Sequence, residues 1–379
     1  MVSKNKYHSF NTGTLPLGCK LCVKGEKLVL FVTGVCPRAC YFCPVSDEKI
    51  RKDCTFANEQ EIISDEEVIR EAENMNAKGA GITGGDPLAR IDRTCHYIKI
   101  LKKRFGKKFH IHLYTSLNLV NNERLSLLHK AGLDEIRFHP DLDSKKLWNN
   151  LNYAKEYDWD TGVEIPLIPG KEKETMSLID FVQDKVDFLN LNELEIADNS
   201  SSKLSEMGFN VKSKLSYAIK GSLELGLTLI KYAKKQKVSI PIHACTAKLK
   251  DSIQLTNRIK RQGFNVKRSF DEVDSEGLLT RGALYLPELQ PGFGYRKKLK
   301  QIDKNHFLNK LNPLLGKIKN RLKINSKFIL IDEKKPRILI LKSYVLKHKK
   351  YFISIGLVPA IVKEYPTADQ LEMEVEILA

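Results

Sequence analysis

The sequence has no apolar run approaching the roughly 18 residues that a bilayer-spanning helix needs. Its opening, Met1-Val2-Ser3-Lys4-Asn5-Lys6-Tyr7-His8, has no apolar signal core. These two absences give the expectation of a cytoplasmic protein without a membrane partner. Low-complexity tracts are also missing, so disordered and collagenous classes are excluded. A chain of 379 residues buries a real core and needs no disulfides to hold it. Its eight cysteines, placed in a reducing compartment, therefore point to metal or redox chemistry.

The net charge of +17 is unevenly spread. Residues 1–52 carry +6, 53–289 are balanced, 290–350 carry +15 and 351–379 carry −4. A neutral body with one basic late segment is the pattern of a polyanion-binding appendage, or of a Lys-rich solvated surface.

Along the chain, β-rich and amphipathic stretches alternate. Strands are expected at 27–36, 80–83, 109–115, 133–139, 161–168 and 190–197. Helices are expected at 64–78, 91–105, 121–131, 144–157 and 175–187. Ser64-Asp65-Glu66-Glu67 has capping-box form at the first of these helices. Such alternation predicts βα units on a parallel sheet. The expected fold is α/β, a partial (βα)6 TIM-like barrel with a small basic α+β C-terminal domain. A helix at 213–235, a further strand at 237–243, a basic helix at 248–262 and a hairpin region at 264–287 come next. Pro287, Pro291, Gly292 and Gly294 mark a boundary. A helix at 304–323 and strands at 327–332, 336–346 and 351–363 complete the reading. The expected segments are 1–26, a barrel core over 27–205, an extension over 206–289 and a basic domain over 290–379.

The sharpest feature is Cys36-Pro37-Arg38-Ala39-Cys40-Tyr41-Phe42-Cys43, at the end of the first expected strand. Three thiols in eight residues can reach three corners of one [4Fe–4S] cube. The fourth iron is left open, as in catalytic rather than structural metal centres. Structural zinc usually takes two Cys-x2–4-Cys pairs or a Cys/His set, and a ferredoxin run has a different spacing that does not occur here. Gly84-Gly85-Asp86-Pro87 closes the second strand, where glycines let backbone carbonyls approach a ligand closely.

The Cys-x3-Cys-x2-Cys loop with its aromatic resembles the signature of the radical S-adenosylmethionine (SAM) enzymes. Gly84-Gly85-Asp86-Pro87 resembles that family's Gly-Gly-Glu-Pro motif, with Asp in place of Glu. The resemblance implies a [4Fe–4S] cluster on Cys36, Cys40 and Cys43. It implies SAM on the unique iron, and reductive cleavage to a 5′-deoxyadenosyl radical that abstracts a hydrogen atom. It places Phe42 beside the adenine and makes Gly84, Gly85 and Asp86 orient SAM. Thr115 and Ser116 then become polar contacts to the SAM carboxylate or ribose. His139 becomes a ribose contact or proton donor, or else a satisfied barrel histidine. The run 162–170 resembles the Ile-Pro-Gly-bearing strand of glycyl-radical activating enzymes, such as pyruvate formate-lyase activating enzyme. That likeness sets Ile168 against the adenine and Glu164 in the barrel interior as a hydrogen-bonding group. Over the whole chain, Gly18-Cys19-Lys20-Leu21-Cys22, His243-Ala244-Cys245 and Lys250-Asp251 resemble an archaeal group related to those activating enzymes.

Cys19 and Cys22 with His243 and Cys245 form a possible second metal set, for zinc as Cys3His or for a second iron–sulfur cluster. Buried unligated cysteines are the alternative. The basic segment 290–350, with Phe293, Tyr295, Phe307, Phe328 and Tyr344, raises RNA as a substrate through charge and stacking. The other readings are an activating or peptide-modifying enzyme acting on a partner protein, and a non-catalytic iron–sulfur electron carrier. A radical SAM enzyme also needs a one-electron donor, a ferredoxin or flavodoxin.

Overall fold

The computed structural model describes residues 4–378. The chain divides into two compact units, Met1–Arg258 and Ile259–Ala379. The domain boundary expected near residue 290 thus falls inside the second unit.

The first unit is built on one sheet. After a short strand, β1 (Phe10–Thr12), and a helix, α1 (Leu17–Val23), seven strands run parallel. They are β2 (Lys27–Phe31), β3 (Gly79–Thr83), β4 (His110–Ser116), β5 (Glu135–His139), β6 (Asp160–Leu167), β7 (Phe188–Glu193) and β8 (Ile242–Cys245). They lie side by side in chain order, the arrangement of a partial barrel wall. The seventh, β8, extends the six expected strands by pairing in parallel with β7. Antiparallel pieces finish both ends: β1 on β8, and the two-residue strand Phe56–Ala57 on β2 with Gln60–Glu61 outside it.

The connecting helices follow from apolar spacing and caps. Asp65–Asn74 starts at Ser64, whose capping box with Glu67 is formed as the sequence suggests. Ile91–Phe105 buries Thr94, Cys95, Tyr97, Ile98 and Leu101, one stripe at helical spacing. Residues 144–157, expected as a helix, instead form a 3₁₀ segment at Trp148–Glu156. The strands are buried almost throughout, with Leu28, Leu30, Ala80, Ile82, Ile111, Leu113, Ile136 and Phe138 in one core.

The second unit is built on an antiparallel sheet of β9 (Leu279–Tyr285), β10 (Ile329–Asp332), β11 (Arg337–Ile340), β12 (Val358–Glu364) and β13 (Glu372–Ile377), with the two-residue strand Glu272–Val273 pairing β9. The sequence reading placed a strand over 336–346; it ends at Ile340, and Lys342–Ser354 is a helix. Val345 and Phe352, seven residues apart, are its buried pair, a helical rather than a strand period.

This unit also shows where the aromatics of the RNA reading lie. Of the five aromatics proposed to stack on bases, Phe293 is exposed, but Tyr295 is buried in the core. Phe307, Phe328 and Tyr344 pack against a separate buried cluster that includes Leu284, Leu311 and Val345. Several of its cations are internal as well. Buried Arg337 meets Asp332 at 3.0 Å and Glu364 at 2.6 Å, and Arg281 meets Asp271 at 2.9 Å.

Candidate active site

The cysteine loop leaves the C-terminal end of β2, the end at which parallel barrels carry their chemistry. Cys36, Cys40 and Cys43 are half-buried and free of disulfides. The loop is tied down from several sides. Arg38 donates its backbone N–H to Cys36 Sγ at 3.4 Å. Its guanidinium reaches the His139 carbonyl at 3.0 Å and Asp141 at 3.5 Å, fastening the loop to the end of β5. Asn199 Nδ2 donates to the Cys43 and Val45 carbonyls, each at 3.0 Å, and Lys203 N–H to the Tyr41 carbonyl at 2.7 Å.

The Gly-Gly-Asp turn bears on that same loop. Gly85 N–H donates to Thr33 O at 2.7 Å and Asp86 N–H to Val35 O at 2.9 Å. A Cβ on Gly84 would stand 2.5 Å from Thr33 O, and one on Gly85 2.5 Å from Val35 O. The glycines are therefore required by close backbone approach to the segment leading into Cys36.

Asp86 is fully buried. It accepts from Leu88 N–H at 3.0 Å, Thr115 Oγ1 at 2.8 Å, Ser116 N–H at 3.1 Å and Ser116 Oγ at 2.6 Å. Burial pushes its carboxyl above the usual range despite these donors. Thr115 and Ser116, expected to meet SAM, spend their hydroxyl protons on Asp86. All three residues brace the ends of β3 and β4.

A cavity of roughly 470 Å³ opens beside the loop, lined by Cys40, Phe42, His139, Ile165, Pro166 and Ile168 among others. Of the expected SAM contacts, Phe42, His139 and Ile168 thus share one wall. The Phe42 and His139 rings are 5.9 Å apart. His139 Nδ1 lies 3.0 Å from the Glu164 carbonyl. A carbonyl can only accept, so Nδ1 carries the proton and Nε2 is left as an acceptor. Burial, then the charge of Arg38, push this imidazole down to about 4. At neutral pH His139 offers a lone pair rather than a proton.

Glu164 does not line the cavity. Its carboxylate is clamped in the barrel interior by Arg137 at 2.7 Å and by Asn190 and Asn192 at 2.8 Å each. Burial opposes its ionisation, but Arg137 and the two amides outweigh that and hold its pKa low. Arg137, fully buried, also meets Glu135 at 2.5 Å. Glu135 in turn receives Gly18 N–H at 3.1 Å and lies 3.3 Å from His110. Among the described residues, His110, His112 and Glu135 form a compact donor group within 4.8 Å. Lys27, 3.1 Å from His110, and Arg137 already match the carboxylate charge there. The sequence reading gave Arg137 no role. Its signal was present in Glu135-Ile136-Arg137-Phe138-His139, where charged residues alternate on one face of a buried strand.

The second proposed set is inside the first unit. Cys19 and Cys245 are buried, and Cys22 is half-buried. His243 Nε2 pairs with Ser9 Oγ at 3.0 Å. No three of these four donors lie within 4.8 Å of one another. Tetrahedral zinc would hold its sulfurs about 3.8 Å apart, so the set is not gathered for zinc.

A parallel, partly closed barrel with three thiols at a strand end and a cavity beside them defines a class of metal-dependent barrel enzymes. Comparison with known proteins makes this specific. Residues 30–182 match the Radical SAM superfamily. A protein of Methanocaldococcus jannaschii, provisionally named a glycyl-radical enzyme activating enzyme, is 38% identical over 97% of this chain and 94% of its own. The chain belongs to the radical SAM superfamily and is a radical SAM enzyme. Among solved structures, methylornithine synthase aligns at 16% identity and a TM-score of 0.38, over 54% of this chain and 62% of that one. Coproporphyrinogen III oxidase from Escherichia coli aligns at 12% identity and a TM-score of 0.30, over 90% and 94%. Among the described residues, no helix is long and apolar enough to cross a membrane.

Proposed function

We propose that Cys36, Cys40 and Cys43 hold the [4Fe–4S] cluster, that SAM occupies the adjoining cavity, and that the substrate is a partner polypeptide. The observation that carries the first two assignments is the shared wall. Cys40 of the loop, Phe42, His139 and Ile168 line one cavity at the strand ends. The thiols fit the cluster: all three are free, and Cys36 Sγ already receives a backbone N–H.

When bound, the cluster supplies one electron to SAM, whose cleavage provides the 5′-deoxyadenosyl radical. The chain's own residues position and exclude. Arg38 and Asn199 fix the loop from opposite ends. Gly84, Gly85 and Asp86 set its distance from β3. His139 Nε2 accepts a hydrogen bond from the ligand. Ile165, Pro166 and Ile168 give an apolar surface for the adenine. The polypeptide substrate is supported by the name of the relative, which aligns over nearly the whole chain. A ferredoxin or flavodoxin supplies the electron.

Anaerobic reconstitution tests the assignment. Cys40→Ala is expected to abolish 5′-deoxyadenosine formation; near-normal cleavage by that variant refutes the ligand set. For the substrate, the enzyme is supplied with a deuterated cell extract split by ultrafiltration. Deuterium should enter 5′-deoxyadenosine from the protein fraction. Transfer from the small-molecule filtrate alone would refute a polypeptide substrate.

A further inference from the structure

The barrel interior contains a second group of thiols that the proposed reaction does not use. Helix α1 turns into the barrel because residue 18 is glycine: a Cβ there would lie 2.5 Å from Arg137 Nη2 and 2.6 Å from His112 Nδ1. Cys19 and Cys22, three apart, are neighbours on this helix, Cys19 buried and Cys22 half-buried. Cys19 Sγ receives Asn190 Nδ2 at 3.3 Å and Arg137 Nη2 at 3.5 Å. On the neighbouring strand, His243 is in register with Asn190 and Cys245 with Asn192. Residues from three distant parts of the sequence thus meet at one level of the barrel. Asn190, which touches Cys19, thus joins the helix to the strand that carries His243 and Cys245.

Two features say that this is more than a set of packed thiols. His243 Nδ1 is buried and has no hydrogen-bond partner, while its other nitrogen is taken by Ser9. An orphaned buried nitrogen costs desolvation unless something coordinates it. Cys19 Sγ is also set among N–H donors, the Asn190 amide and the Arg137 guanidinium. Cations and N–H donors around sulfur stabilise thiolates and bound clusters.

The spacing bears on the metal. The donors are too far apart for one zinc ion. Cysteines on a cube each bind a different iron and stand further apart. Cys36, Cys40 and Cys43 are likewise not gathered within 4.8 Å.

We propose that Cys19, Cys22 and Cys245, with His243 as the remaining donor, hold a second iron–sulfur cluster in the barrel interior.

Iron and acid-labile sulfide counts on the full chain, reconstituted anaerobically, test this. The wild type should hold roughly eight irons. The triple variant Cys36→Ala/Cys40→Ala/Cys43→Ala should keep roughly four, with an electron paramagnetic resonance signal on reduction. This variant leaves every residue of the second set intact, so its result does not depend on whether substitutions there fold. Cys19→Ser/Cys22→Ser/Cys245→Ser should lose half of the wild-type iron and keep 5′-deoxyadenosine formation from SAM. An iron-free Cys36/Cys40/Cys43 variant overturns the second cluster while leaving the first intact. Zinc found at one equivalent in that variant also overturns it. Conversely, if wild type holds only the cluster that survives in that variant, the first assignment fails and the second stands.

Discussion

Asp86 shows what the departure from a Gly-Gly-Glu motif does. The shorter side chain faces inward and takes four hydrogen bonds from Leu88, Thr115 and Ser116. Removing it would leave buried donors without an acceptor. Asp86→Ala should cost on the order of 2–4 kcal/mol, read as a lowered denaturant midpoint; a loss below about 1 kcal/mol would deny its bracing role. His139 gives a different prediction. Because its Nδ1 faces a carbonyl, only a side chain with an acceptor in place of Nε2 can substitute. His139→Gln should hold SAM several-fold better than His139→Leu in equilibrium binding. Equal binding by the two variants would show that Nε2 makes no ligand contact. The spacing of Cys36, Cys40 and Cys43 was legible in the sequence because ligand spacing is local. The partners of Thr115, Ser116 and Glu164 were not, since each partner comes from another element and only the assembled sheet brings them together.

At the scale of elements, the cysteine loop and the Gly-Gly turn behave as one piece. Gly85→Ala would drive a methyl against the backbone oxygens of Gly34 and Val35, at 2.7 and 2.5 Å. Neither can move without moving the approach to Cys36. The expected result is a folded protein with reduced iron content; full occupancy would separate the two segments. A contrasting glycine lies in the helix Lys304–Leu322: around Gly316 a Cβ meets nothing within 4 Å. Gly316→Ala should stabilise by about 1 kcal/mol through helix propensity, measured by thermal unfolding. Helices with capping signals and apolar stripes were readable in advance. Lys342–Ser354 was not, because its β-branched and aromatic residues suit either state until the buried pair Val345 and Phe352 is seen.

For the whole molecule, the buried charges couple stability to pH. Burial alone would raise the Glu135 carboxyl; Arg137 and His110 outweigh it and hold it down at about 2. A carboxylate with a depressed pKa adds stability above its unfolded value, near 4.5, and loses it as pH falls toward 2. Unfolding free energy should therefore decline across that window. Glu135→Gln should flatten the decline, and an unchanged acid profile would show that the Arg137 pairing contributes nothing net. The alternating barrel was legible because six strands and their helices each carry a local period. The further strand read at 237–243 runs instead over Ile242–Cys245, and its partner and the division after Arg258 were less legible, because strand partners and unit boundaries are settled by contacts between distant segments.

The short antiparallel pieces at the two ends of the large sheet have a last consequence. A row of parallel strands leaves unpaired N–H and C=O groups at each side, ready to template another chain. Here the outermost strands are Phe10–Thr12 and Gln60–Glu61, three and two residues long. Neither offers enough backbone for a second copy to zip onto, which guards this sheet against edge-to-edge stacking.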